Sequence, residues 1–510
     1  MKTIHIFLCA VVAAMLGVMF LIYPVCADDH WYMGGQDGAP WSLRALASAW
    51  DQVAALWHVS TGRAGNLASA LFLGFMPRPV WAAAMAGCCF GILATGPRII
   101  GCRPLSVGAA LWTAGFCFAF PWMDYMFSII FSMNYFPALL LGLATFVMYE
   151  NSYGTGRRGA LAAAAVALAA AWWHEGLAVP LAGALAVYSA VRGGKLPRRA
   201  KVILGATAAG MACIAVSPAF WDSMDFREPI WNRGSAWWRM IHLIGFNCFF
   251  YLYLAAMAAA LALRRYRRML LGSRAVLARQ LALLAFGVIT LPIYIKYYAG
   301  PRTGIFSQMF SLAGLLSLAT FVRPAEIPRR GAMAVFGAVY ALCIVNIAAA
   351  INVQRRLSAE TAEVDALWQS AEALERGAVF YDVTAPHAGI DFYKPSYQVL
   401  NTTYGLEGRI ILPASLERFD SRHDGHACSD TMLLLHEGML IYRGGWDMGS
   451  TRTHRPDIVI TTPDGCETES RADWYSFRDA AGVECTYVAP HAVILNPSTV
   501  ILDARRKKIP

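Results

Sequence analysis

From Lys2 onward the chain alternates between apolar runs of roughly 15–25 residues and short polar stretches rich in arginine or tryptophan. A run of that length spans about 30 Å of hydrocarbon as a helix, and a helix satisfies its own backbone hydrogen bonds. The pattern therefore predicts an all-α polytopic membrane domain over 1–352 with about eleven transmembrane helices. The runs lie at 4–27, 79–96, 105–121, 131–149, 160–173, 177–191, 202–219, 241–263, 281–295, 305–322 and 332–352. After 352 the pattern changes. Ser358–Arg376 reads as an amphipathic helix leading away from the last run. Strand-like stretches follow at Ala378–Val383, Arg409–Leu412, Met432–Leu435 and Asp457–Thr461, which predicts a small α/β or mostly-β soluble domain over 353–510.

Composition agrees: 57% of the 510 residues are hydrophobic and only 15% charged, where a soluble domain carries about a quarter. The net charge of +10 raises nucleic acid as a partner, but its distribution excludes that reading. The basic residues sit beside apolar runs, in every second gap: Arg98 and Arg103, Arg157 and Arg158, Arg192 to Lys201, Arg264 to Arg268, and Arg323 to Arg330. With Lys2 they fall on one side, and that side is the cytoplasm. The expectation is a multi-pass protein of the bacterial inner membrane, with a cytoplasmic N-terminus and a periplasmic C-terminal domain. Val25-Cys26-Ala27 before Asp28 also fits a signal-cleavage site, although the length of the preceding apolar stretch favours a retained helix.

The outward loops are the richer ones. The largest, 28–78, holds Leu43, Leu46, Ala47, Trp50, Ala54 and Trp57 at helical spacing. Such a helix either lies in the membrane interface or packs on the bundle. The twelve cysteines have no metal-ligand spacing, and most lie inside apolar runs, where Cys behaves as a small hydrophobe. Cys428, Cys466 and Cys485 permit one disulfide if the tail meets an oxidising compartment.

Ionisable residues at span ends are costly near lipid and are functional candidates on that ground. Asp28 and Asp29 are adjacent carboxylates just outside the first run; one can take a proton from a hydroxyl while the other orients it or holds a cation. His174-Glu175, after Trp172-Trp173, either binds a phosphate or hydroxyl or caps its turn. Arg302 and Arg63 either clamp a phosphate or snorkel to lipid headgroups. All four features fall on the outward side, where one polar site is expected to gather them.

In order and placement these residues resemble a family pattern: an acidic pair after the first span, a Gly-Arg later in that loop, an Asn-Tyr before the fourth span, a His-Glu between the fifth and sixth, and an Arg between the ninth and tenth. The pattern is similar to the GtrII-like branch of the GT-C superfamily of membrane glycosyltransferases. Asp28, Asp29, Tyr32, Gly62, Arg63, Asn134, Tyr135, His174, Glu175 and Arg302 carry the resemblance, over roughly 1–350. It implies a transferase that moves a sugar from a polyprenyl-phosphate-linked donor to a cell-envelope glycan or lipid acceptor, with inversion. Asp28 or Asp29 would be the catalytic base. Arg302, with Arg63 or Lys296, would neutralise the departing phosphate, and Tyr32, Asn134, Tyr135, His174 and Glu175 would bind substrate. Members of the superfamily differ in metal use, so a divalent cation is compatible with the pattern and not required by it. The alternative is a transporter or flippase of lipid-linked sugars, which should carry inverted repeats and broken helices near the midplane.

Overall fold

The computed structural model describes residues 2–23, 39–59, 62–118, 127–154, 159–218, 220–221, 229–232, 235–296, 301–322 and 329–371, together with short strand segments between 378 and 494. The chain divides into a helical unit, Met1–Tyr23 with Gln36–Gln354, and a second unit, Pro24–Gly35 with Arg355–Pro510.

In the helical unit every apolar run overlies a helix. The helices are α1 (Lys2–Ile22), α2 (Leu43–Val59), α3 (Ala64–Gly74), α4 (Arg78–Ile100), α5 (Val107–Phe118), α6 (Ile129–Asn151), α7 (Ala160–Trp173), α8 (Glu175–Arg192) and α9 (Arg198–Ala215). They continue as α10 (Ala236–Met240), α11 (Cys248–Ala262), α12 (Arg264–Leu271), α13 (Arg274–Lys296), α14 (Ile305–Val322) and α15 (Arg329–Ala371). Five stretches are long and apolar enough to cross a bilayer: Thr3–Ile22, Arg78–Ile100, Ile129–Asn151, Arg274–Lys296 and Met333–Asn352. The protein is a multi-pass membrane protein. Its surface fits that solvent, because Phe7, Leu21, Val288, Leu342 and Val345 point outward from these helices and would be a liability in water.

Helix α6 is the centre of the unit: 83% of its apolar window is buried, against 39% or less in the other four spans. It packs against α3, α4, α7 and α8. Small residues let neighbouring backbones approach. A Cβ on Gly210 of α9 would stand 2.4 Å from the Leu168 carbonyl oxygen of α7, so only glycine permits that crossing. Buried polar groups bond across helices. The Tyr253 hydroxyl donates to Gln280 Oε1 at 2.6 Å, and Gln280 Nε2 donates to Ser317 Oγ at 3.3 Å.

Four local expectations change. Helix α1 ends at Ile22, short of the expected 27, and residues 24–27 lie outside the described ones. Helix α3 is an element the apolar runs did not predict, because eleven residues fall short of a span. The eighth run is not one straight helix: α10 leads through a wide π-type turn, Ile241–Gly245, into α11 at a bend of 65°. There the Tyr294 hydroxyl donates to the His242 carbonyl at 3.1 Å, giving that carbonyl a partner outside the helix ladder. Finally, α15 runs unbroken through Ala371, so the expected amphipathic helix at 358–376 continues the last span.

In the second unit, β1 (Ala378–Tyr381) pairs in parallel with β2 (Ile410–Pro413), at two of the stretches read as strands. The strands β3 (Ile441–Arg443) and β7 (Ala492–Ile494) pair antiparallel. So do β4 (Thr468–Arg471), β5 (Trp474–Arg478) and β6 (Glu484–Val488), in that order. Met432–Leu435, Asp457–Thr461 and the side chains of Cys428, Cys466 and Cys485 lie outside the described residues.

Candidate functional site

At one end of the helical unit four chain segments meet: the start of α3, the start of α6, the α7–α8 junction and the turn Pro301–Gly304 that leads into α14. The α7–α8 junction is a single residue. His174 takes extended backbone angles (φ −157°, ψ 126°), which stops α7, and its Nδ1 accepts the Gly176 N–H at 3.0 Å, which starts α8. An accepting Nδ1 leaves the proton of the neutral ring on Nε2, so that atom is the donor. His174 therefore does cap the turn, and the cap also orients the ring. Glu175 follows in the first turn of α8, where the helix dipole favours a carboxylate.

Glu175 pairs with Arg63 across 112 residues: Arg63 Nη2 donates to Glu175 Oε1, and Glu175 Oε2 lies 3.8 Å from His174 Nδ1. Arg63 is only 8% exposed. The arginine reaches this position because the loop carrying it is fastened on both flanks. Trp172 Nε1 donates to the Gly62 carbonyl at 2.9 Å, and Ser217 Oγ donates to the Trp57 carbonyl at 2.9 Å. Gly62 itself is obligatory, since a Cβ there would stand 2.4 Å from the Ser217 Cβ.

Helix α6 contributes the next layer. Ser128 caps it, accepting the Phe131 N–H at 3.3 Å. One turn in, Asn134 Nδ2 donates at 2.8 Å to both Asn66 Oδ1 of α3 and its own Ile130 carbonyl. The neighbouring Tyr135 ring lies 5.0 Å from the His174 ring and 5.6 Å from Phe306 of α14, and His174 and Phe306 are 5.3 Å apart. Three rings thus enclose a small aromatic corner that fixes the imidazole. The Arg302 guanidinium sits 4.1 Å from the Phe131 ring centroid, a cation–π contact that holds a planar fork of donors at the start of α14.

Arg63, Asn134, Tyr135, His174 and Glu175 therefore lie close together, and Arg302 reaches the same end of α6 through Phe131. Lys296 ends α13, which packs on the Pro301–Gly304 turn, and its side chain is exposed. Asp28, Asp29 and Tyr32 lie outside the described residues. Sequence reasoning missed Asn66, Phe131 and Phe306. Asn66 carried a signal, a lone amide in an apolar stretch one turn beyond Arg63; the two phenylalanines carried none. Among the described residues no three His, Cys, Asp or Glu side chains stand close enough to hold a metal ion.

The buried side of α2 is Ala45, Ala49 and Leu56, facing α3, while Leu43, Leu46, Ala47, Trp50 and Ala54 are exposed. Trp57, the sixth residue of that spacing, is half-buried, with its ring close to Gly62.

No family model, no curated protein and no solved structure matches the chain. Fold and site define a multi-pass membrane protein with a cluster of buried ionic and aromatic side chains at one end of its helical unit.

Proposed function

We propose that this protein is an integral-membrane glycosyltransferase of the GT-C type, using a polyprenyl-phosphate-linked sugar and a cell-envelope glycan or lipid acceptor. In this reading all eleven apolar helices cross the bacterial inner membrane. The N-terminus is cytoplasmic, and 353–510 forms a periplasmic α/β or mostly-β domain. The observation that carries the proposal is the convergence of Arg63, Asn134, Tyr135, His174, Glu175 and Arg302 at one end of the unit. Segments up to 239 residues apart in sequence supply it, counting from 63 to 302.

The chemistry follows from the bonds exchanged. The acceptor oxygen forms a bond to the anomeric carbon while the bond from that carbon to the phosphate oxygen breaks. The acceptor proton passes to Asp28 or Asp29, and the polyprenyl phosphate leaves with one more negative charge. A phosphate is a good leaving group, so the main need is charge neutralisation where the phosphate departs. Arg302 serves there, with Lys296 at the neighbouring helix end. Arg63 shares its charge with Glu175 and assists. Tyr32, Asn134, Tyr135, His174 and Glu175 hold the sugar and phosphate, with His174 Nε2 as a donor. Attack from the face opposite the phosphate inverts the anomeric centre.

The test is transfer from radiolabelled polyprenyl-phosphate sugars in membranes, comparing wild type with Asp28→Asn and Asp29→Asn. The expected result is turnover that falls at least about a hundredfold in one variant with its folding intact. Equal turnover in both variants removes the acidic pair from the mechanism. Movement of labelled lipid across vesicles without any transfer replaces this reading with a transporter.

A further inference from the structure

At the end of the helical unit opposite the candidate site, α11 breaks at Leu263 (φ −82°, ψ 116°) and α12 begins as a separate short rod, Arg264–Leu271. Gly272 closes it, and α13 starts at Arg274. At about 100° per residue, Arg264, Arg265, Arg267 and Arg268 cover one arc of about 160°. All four are exposed, while Leu270 is buried and Tyr266 half-buried against the bundle. Leu263 and Leu271, each 54% exposed, flank the arginines.

Among the described residues this charge has no carboxylate partner. Among the described side chains the carboxylates are Asp51, Glu150 and Glu175. Only Glu150 lies at this end, and both its oxygens are taken by Arg279, at 2.8 and 2.6 Å. None of the four arginines pairs with a carboxylate among the described residues. Arg192, Lys195, Arg198 and Arg274 add to the same end, with Arg274 Nη1 lying against Gly193. The site end differs, exposing Trp221, Trp231 and Trp237 instead. Tryptophan suits an interface of any headgroup charge, whereas four guanidinium forks on one arc match phosphates.

We infer that α12 is a docking surface for anionic phospholipids, its arginines binding headgroup phosphates while Leu263 and Leu271 enter the acyl boundary. The phosphates supply a countercharge that the described side chains do not. Each basic residue near an anionic leaflet contributes about fivefold in affinity, so four together outweigh one isolated contact.

Native mass spectrometry of the full-length protein, released from micelles with equal dioleoyl phosphatidylglycerol and dioleoyl phosphatidylcholine, tests this. Wild type is expected to retain the anionic lipid at least about tenfold over the zwitterionic one. Changing Arg264, Arg265, Arg267 and Arg268 together to Gln should bring the ratio to within about twofold. Changing all four to Lys should keep most of it. If the fourfold glutamine variant does not insert, Arg267→Gln with Arg268→Gln is read in its place and should lose at least about fivefold. Equal retention of both lipids by wild type overturns the inference, and so does a preference that survives the glutamine changes.

Discussion

Two ion pairs lie at opposite ends of the helical unit, and they are built differently. Glu150 closes the last turn of α6 and takes Arg279 of α13 in a two-bond fork, Nε to Oε1 at 2.8 Å and Nη2 to Oε2 at 2.6 Å. Both carboxylate oxygens are used, and Tyr149 and Tyr188 pack beside the pair in a ring cluster. Arg63 and Glu175 instead share one nitrogen and one oxygen, and Arg63 Nε, although buried, has no hydrogen-bond partner among the described residues. A saturated fork fastens two helices. A pair joined through one nitrogen and one oxygen lacks that two-bond fork. The first pair is a two-bond clasp between helices, and under the proposed function the second belongs to the substrate site, although charge and burial alone would rank them together.

That contrast breaks or sharpens under substitution. The largest effect is expected at the second pair. Glu175→Gln keeps a polar group in the first turn of α8 but releases Arg63. It should lower sugar transfer about a hundredfold while thermal stability in detergent stays near wild type. A melting temperature that collapses with the activity would make both pairs structural. Glu150→Gln should do the reverse. It leaves Arg279 buried with half its partner, so stability should fall by about 2–3 kcal/mol, while transfer per folded molecule is retained. Replacing both Glu150 and Arg279 with leucine should recover most of that loss; a double variant as unstable as the single one would contradict the account. The smallest effect is expected at Gly65. A Cβ there would meet Asn134 Oδ1 at 2.5 Å and the Asn134 Cα at 3.0 Å, so Gly65→Ala should cost about 1–2 kcal/mol. Because Asn134 bridges α3 to α6, transfer should drop with it, and unchanged stability would mean the two helices separate freely.

Much of the fold was legible because membrane solvent imposes a simple rule. Each apolar run from 4–27 to 332–352 overlies a helix, since backbone groups in lipid have no partner but their own segment. What the rule does not reach are elements shorter than a span. Helix α3 was invisible for that reason, and so was the bend between α10 and α11, which depends on Tyr294 reaching His242 from another helix. The site was legible in part: Arg63, His174, Glu175 and Arg302 stood out as charges at the edges of apolar runs. Their neighbours Phe131 and Phe306 did not, because a phenylalanine in an apolar run looks alike whether it faces lipid, core or a guanidinium.

The sequence by itself determined where the long apolar helices are, because hydropathy and run length act locally along the chain. It also determined that charge concentrates in alternate gaps, which is a matter of composition. Only the tertiary structure decided which charges meet. That Arg63 binds Glu175 while Arg279 binds Glu150 depends on α3 crossing α6 at Gly65, and on α13 packing alongside α8. Those are contacts between surfaces far apart in the chain, set by shape and by the small residues that allow close approach. No local pattern encodes them.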